Sequence, residues 1–285
     1  MNITPRYLGR GSWVSHRDPR VIILVVVIAG ITVIQIWDFR VVIVLLALAL
    51  LWYRAAEIPW AAVKRQWRFV LILLTLITLL NTVLTSGEIG NFEQEDLHVL
   101  FYLPILGTPI SAEALSYAAT QFARFLTFAS LGFTMAYAIA PSDLGVSFAR
   151  LKVPEKFAYA IDLTFRFIPS LSADLATTMD AQRIRGFDWD RGSGGPVKRL
   201  RRTVPLVVPL TMNAIVNAED TIDAMDLRGF GTGRRSWLRE LVYDRTDRLV
   251  LAFLVVMFVV FTILGFAGIT SEVWVFPFLI DLANR

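Results

Sequence analysis

The sequence predicts an all-α integral membrane protein, with about five transmembrane helices and a cytoplasmic domain of amphipathic helices. Three observations predict it. Long apolar runs punctuate the chain, lysine and arginine are spread unevenly between them, and the longest polar insert holds two amphipathic stretches that end alike.

The apolar runs come first. Of the 285 residues 55% are apolar and 18% charged, with a mean hydropathy of +0.58. Soluble domains are about 25% charged and 45–50% apolar. The excess is concentrated in 21–37, 41–53, 69–85, 112–140 and 249–269. A hydrocarbon core about 30 Å thick takes about 20 helical residues, so the last two runs span comfortably. The first two are short and are interrupted only by Asp38-Phe39-Arg40. They form either two thin spans in a tight hairpin or a pair that does not fully cross. We read two spans, held at the interface by Trp37, Trp52 and Tyr53.

Charge orients the spans, because lysine and arginine accumulate on the cytoplasmic side. Residues 1–20 carry Arg6, Arg10, Arg17 and Arg20, and the 54–68 loop carries Arg54, Lys64, Arg65 and Arg68. Residues 86–111 hold no lysine or arginine, but do hold Glu88, Glu93, Glu95 and Asp96. The stretch 141–248 holds seventeen lysines and arginines. The N-terminus, 54–68 and 141–248 are therefore expected inside a cell membrane, with 86–111 and the tail outside. The expected division is four spans in 1–140, a cytoplasmic domain in 141–247, and a last span with its tail in 248–285.

Several function classes are excluded. The chain has no cysteine, so disulfides, thiolate metal sites and cysteine catalysis are ruled out. The net charge of +4 is explained by arginines beside membrane segments, so no nucleic-acid partner is expected. Residues 1–20 do not read as a secretory signal. No G-x-x-x-x-G-K-[ST], H-E-x-x-H or G-x-S-x-G occurs. Gly192-Ser193-Gly194-Gly195-Pro196 reads as a flexible link, and neither a cofactor nor an enzymatic role is expected. His16 and His98 are the two histidines. His16 accompanies a helix start, with Asp18 as N-cap and Pro19 at the first helical position; His98 is assigned no role.

The insert carries the functional signal. One amphipathic helix is predicted from about Ser170 to Arg185. A second is predicted around Leu206–Val216, continuing to Arg228, with Val208, Met212, Ile215, Ile222 and Met225 at helical spacing. They end in Ala181-Gln182-Arg183-Ile184-Arg185-Gly186-Phe187 and Ala224-Met225-Asp226-Leu227-Arg228-Gly229-Phe230, matched in register forty-three positions apart. Arginine in the last turn, then glycine and an apolar residue, is an ordinary helix stop, with the phenylalanine folding back onto its helix. Its repetition also fixes two guanidinium forks at helix tips, where they suit a partner's carboxylates or carbonyls.

These residues resemble the transmembrane (T) component of energy-coupling factor transporters, also described as the cobalt-transporter permease family. That family carries Ala-Arg-Gly motifs at the ends of two cytoplasmic coupling helices. Here they read Ile184-Arg185-Gly186 and Leu227-Arg228-Gly229, and the larger apolar residue is expected to pack on its helix face. Asp18-Pro19-Arg20, Pro141-Ser142-Asp143-Leu144, Arg166-Phe167-Ile168-Pro169 and Val204-Pro205 also fit the family. The resemblance implies a non-catalytic importer subunit that docks two ABC ATPase subunits through Ala181, Arg185, Gly186, Ala224, Arg228 and Gly229. A small substrate-binding membrane (S) component is the other implied partner, with a vitamin or transition-metal ion as cargo. ATPase closure would then draw the two helix ends together.

Arg124 lies within the fourth apolar run, where an ionisable group costs about 3 kcal/mol or more unless it is paired. Contact with the S component and an internal Arg–carboxylate or Arg–carbonyl pair are the two readings. The alternatives to coupling are a conventional ABC permease lining its own path, whose E-A-A…G loop is not found, and a membrane-embedded enzyme. The charge-derived orientation has a direct check. Single Ser193→Cys and Gln94→Cys variants are expected to label with an impermeant thiol reagent from the inside and the outside respectively; the reverse pattern would overturn it.

Overall fold

The computed structural model describes residues 11–84, 98–102, 109–186, 196–233, 237, 240–270 and 272–283. The Gly192–Gly195 link, Phe187 and most of 86–111 lie outside them. In chain order the elements are α1 (Pro19–Gln35), α2 (Phe39–Ala55), α3 (Trp60–Leu84), β1 (Val99–Tyr102), β2 (Pro109–Ser111) and α4 (Ala112–Ala138). There follow α5 (Pro141–Arg150), α6 (Glu155–Ile184), α7 (Pro196–Leu227), α8 (Arg245–Phe266) and α9 (Pro277–Ala283). The architecture is all-α apart from the short antiparallel β1–β2 hairpin. The chain forms two compact units, one within 6–140 and 242–285 and an inserted one within 141–241.

In the membrane unit each of the five apolar runs is a helix. By length and composition α3 and α8 are long and apolar enough to cross a membrane, and α4 joins them when taken with α5. α1 is apolar but has only 17 residues. Asp18 caps α1 by accepting the Arg20 N–H at 2.9 Å, with Pro19 at its start. The interruption at Asp38 is a second cap, because its carboxylate accepts the Arg40 N–H and starts α2. α4 is the central post, against which α1, α2 and α3 pack. Its buried Ser116, Thr120, Thr127, Ser130 and Thr134 each donate to a carbonyl three or four residues back in their own helix. Polar groups are thus satisfied without a partner, and their small size lets neighbouring backbones approach. Val33, Ile36, Val42, Leu45 and Ala123 fill one core, and Val21, Val25, Ala49, Leu131 and Leu254 another. A cavity of about 480 Å³ between α1, α2, α4 and α8 is lined by apolar side chains apart from Thr127 and the indoles of Trp13 and Trp52.

The stretch Ser15–Arg20 ties α1 to the start of α8. Arg17 meets Asp244 at 3.3 Å, Asp247 at 3.7 Å and the Thr246 hydroxyl, while Asp244 and Asp247 form a capping box on α8. The Thr246 hydroxyl, the Arg245 N–H and Arg17 hold the Asp244 carboxyl below its usual value. Arg20 forks onto Asp18 and lies over the Tyr243 ring at 3.9 Å. His98, assigned no role from sequence, pairs through Nδ1 with the buried Glu113 carboxylate at 2.9 Å, and its backbone N–H donates to the same group at 3.2 Å.

In the inserted unit α6 is longer than the sequence pattern suggested. It begins at Glu155 rather than near Ser170 and runs 30 residues through Pro169. α7 likewise starts at Pro196 and carries Pro205 and Pro209 inside it. An interior proline removes one backbone bond and crowds the preceding turn. Packing against neighbours outweighs that cost. α5 lies against α6 with Gly145 at the crossing: a Cβ there would sit 2.5 Å from Asp162 Cβ and 3.0 Å from the Ala158 carbonyl. Gly145→Ala is therefore expected to destabilise the protein by about 1–3 kcal/mol through overpacking, despite alanine's better helix propensity. The midpoint of thermal unfolding of the purified variant checks this.

Candidate functional site

The site begins with two helix ends. α7 finishes at Leu227, Arg228 takes the cap position, and Gly229 adopts φ +66°. The Gly229 N–H donates to the Asp226 carbonyl at 2.8 Å and the Phe230 N–H to the Met225 carbonyl at 2.9 Å. Those two bonds form the Schellman closure, which satisfies carbonyls that the helix leaves open. α6 ends the same way as far as it is described. Arg185 is its cap, Gly186 has φ +84°, and the Gly186 N–H donates to the Arg183 carbonyl at 3.0 Å. Ala181, Arg185, Gly186, Ala224 and Arg228 are exposed and Gly229 half-exposed.

One detail differs from the sequence reading. Ile184 and Leu227 do not pack on their helix faces; they are 89% and 90% exposed. In the last turn only the side facing the other helix is covered, as at Gln182, and these two side chains lie away from it. Phe230 returns to α7 through its backbone N–H, which donates to the Met225 carbonyl, and it also meets α6. Its ring lies 4.7 Å from that of Tyr159 in α6. Each tip is thus an exposed aliphatic side chain, a cation and a left-handed glycine in succession.

The two tips stand apart because α6 and α7 run antiparallel. Tyr159, in the first turns of α6, reaches Met225 Sδ at 3.7 Å as well as Phe230 at the end of α7. Gln182, in the last turn of α6, donates to the Pro205 carbonyl in the early part of α7 at 3.2 Å. Tyr159 to Gln182 is twenty-three helical steps, so at 1.5 Å per residue the tips are about 35 Å apart along the pair. Tyr159 and Gln182 were not singled out from sequence, since neither belongs to a hydrophobic period or a charge pattern.

Arg124 is 6% exposed and is not part of this site. Its guanidinium donates to the Ile36 carbonyl where α1 ends and to Gln121 Oε1 at 3.2 Å, and it lies over the Trp37 ring at 4.3 Å. That geometry is the internal Arg–carbonyl pairing, and it joins α4 to the α1–α2 turn. Among the described residues no cluster of three or more His, Cys, Asp or Glu could hold a metal ion.

Comparison with known proteins bears on this pair of tips. The family model described as CbiQ, cobalt transport protein, matches residues 10–237, which include both of them. The chain belongs to that family. Its relatives include the energy-coupling factor transporter transmembrane protein EcfT of Lactococcus lactis subsp. cremoris. That relative is 26% identical over 262 residues, covering 88% of this chain and 93% of the other. The EcfT protein of Bacillus selenitireducens is 28% identical over 261 residues, covering 88% and 92%. That of Limosilactobacillus fermentum reaches 37% over 114 residues, 39% of this chain and 42% of the other. The resemblance to energy-coupling factor T components is therefore upheld over most of the chain, and the protein is a membrane transport subunit of that kind.

Both motif glycines hold a backbone conformation that costs an L-residue about 1–2 kcal/mol. Gly229→Ala is expected to loosen the end of α7, raising amide exchange at Gly229 and Phe230 severalfold, whereas Gly229→Asn is tolerated better. Hydrogen exchange at residues 225–232 checks it.

Proposed function

We propose that this chain is the coupling subunit of an energy-coupling factor importer, and that Arg185 and Arg228 each anchor one of two ABC ATPase subunits. The observation that carries this reading is the pair of like-built tips at opposite ends of an antiparallel helix pair. Two equivalent docking points about 35 Å apart suit two copies of one kind of partner better than two contacts on a single small one. Each guanidinium is a planar five-donor fork held at a closed helix end, which favours carboxylate or carbonyl acceptors in a groove. Ile184 and Leu227, exposed beside them, supply the apolar contact such a groove would bury, each worth about 1.5–3 kcal/mol if fully covered.

On this reading ATP-driven movement of the ATPases displaces the two tips. α6 and α7 then pass that displacement to a small substrate-binding membrane subunit. The cargo, a vitamin or a transition-metal ion, is chosen by that subunit. The inserted unit faces the cytoplasm, in keeping with the fifteen lysines and arginines of 141–241. The cavity of the membrane unit has a mainly apolar lining, which favours a role in coupling over a polar translocation path through this chain.

Arg185→Ala and Arg228→Ala are each expected to weaken ATPase retention by about 2 kcal/mol, the scale of an interface hot spot, while expression persists. The double variant should release both ATPases in co-purification. Lysine at either position should rescue poorly if the fork geometry matters and well if charge alone does. Full ATPase retention by the double alanine variant would overturn the reading.

A further inference from the structure

Pro205 and Pro209 stand four residues apart inside α7. In an α-helix the carbonyl of residue 205 accepts the N–H of residue 209, and a proline at 209 has no N–H to give. The Pro205 carbonyl is therefore left open by the sequence itself. Gln182 Nε2 fills it at 3.2 Å. Gln182 belongs to the last turn of α6, three residues before Arg185, so this bond joins the first tip to the opposite helix.

We propose that Gln182 is a positioning residue for the Arg185 tip: its amide uses the carbonyl vacated by Pro209 to fasten the end of α6 onto α7. This rests on the docking role given to Arg185 above. The tip needs such a fastening because Ile184 is 89% exposed and the last turn of a helix frays readily. A partner pulling on Arg185 would otherwise unwind one turn before moving two helices. With Gln182 in place, the displacement enters α6 and α7 together. The second tip has a fastening of another kind, in the contact of Tyr159 with Phe230 and Met225.

The proline makes the idea testable beyond simple loss of stability. Gln182→Glu keeps the shape but, ionised, has no hydrogen to donate and turns an oxygen towards the carbonyl. Pro209→Ala returns a backbone N–H that competes with Gln182 for the same acceptor. Nitroxide labels at Thr177→Cys and Glu219→Cys, in a chain without native cysteine, report the distance between α6 near its tip and α7 by pulsed electron resonance. The measurement is made on the chain assembled with its two ATPase subunits, with and without a non-hydrolysable ATP analogue. The parent distribution should be narrow in both states. Gln182→Glu should broaden it at least twofold, Pro209→Ala should broaden it less, and the double variant should be no broader than Gln182→Glu alone. An unchanged width in Gln182→Glu, or broadening in the double variant that adds the two single effects, would overturn the proposal. If the parent chain fails to retain the ATPases, it is the docking role of Arg185 that fails; the same distances measured on the chain alone still decide the fastening.

Discussion

A helix ends with carbonyls that have no partner within it, and the way α6 and α7 dispose of theirs determines where Arg185 and Arg228 stand. The left-handed turn at Gly186 and Gly229 closes each end and presents the preceding arginine at the tip. An unclosed end would leave the cation on a fraying turn, with its position undefined. Interior carbonyls opened by proline are handled by the same physics from the side: the Pro205 carbonyl accepts from Gln182 of the neighbouring helix. Backbone satisfaction thus links the motif, the helix pair and the separation of the tips.

The membrane unit answers the same constraint in a drier setting. Around α4 the hydroxyls return to their own helix, which leaves its surface small and electrically quiet for the helices packed on it. Arg124 is the exception. Its two terminal nitrogens are held by Gln121 and the carbonyl at the end of α1, and the guanidinium lies over Trp37. A charge within an apolar run thus serves as a clasp, although its buried Nε has no partner among the described residues. At the start of α8, Arg17 is held among Asp244, Asp247 and Thr246, and the same carboxylates cap the helix.

Much of this was legible in particular residues. Asp18 and Pro19 announced the start of α1, and the positions of Gly186 and Gly229 announced both helix stops, because capping depends on chemistry within a few residues. The five apolar runs announced five helices for the same local reason. Other features were hidden. The helices were expected to start after Pro169 and Pro205, yet those prolines, like Pro209, lie inside helices whose packing offsets the lost bonds. Gly145 gave no signal of its own, since its importance is the distance to Asp162 across a helix crossing. Ile184 and Leu227 read as ordinary packing residues, yet both are bare in the last turn of their helices.

By itself, then, the sequence determined that the five apolar runs are helices, where the insert lies, and that two helices in it end in an arginine and a glycine suited to a left-handed turn. These are properties of composition and of contacts a few residues long. The tertiary structure decided that α6 and α7 run antiparallel, that their arginines stand at opposite ends about 35 Å apart, and that Arg124 turns inward. Those depend on which residues meet across long separations, Tyr159 with Phe230, Gln182 with Pro205 and Arg124 with Ile36. No local period encodes such meetings.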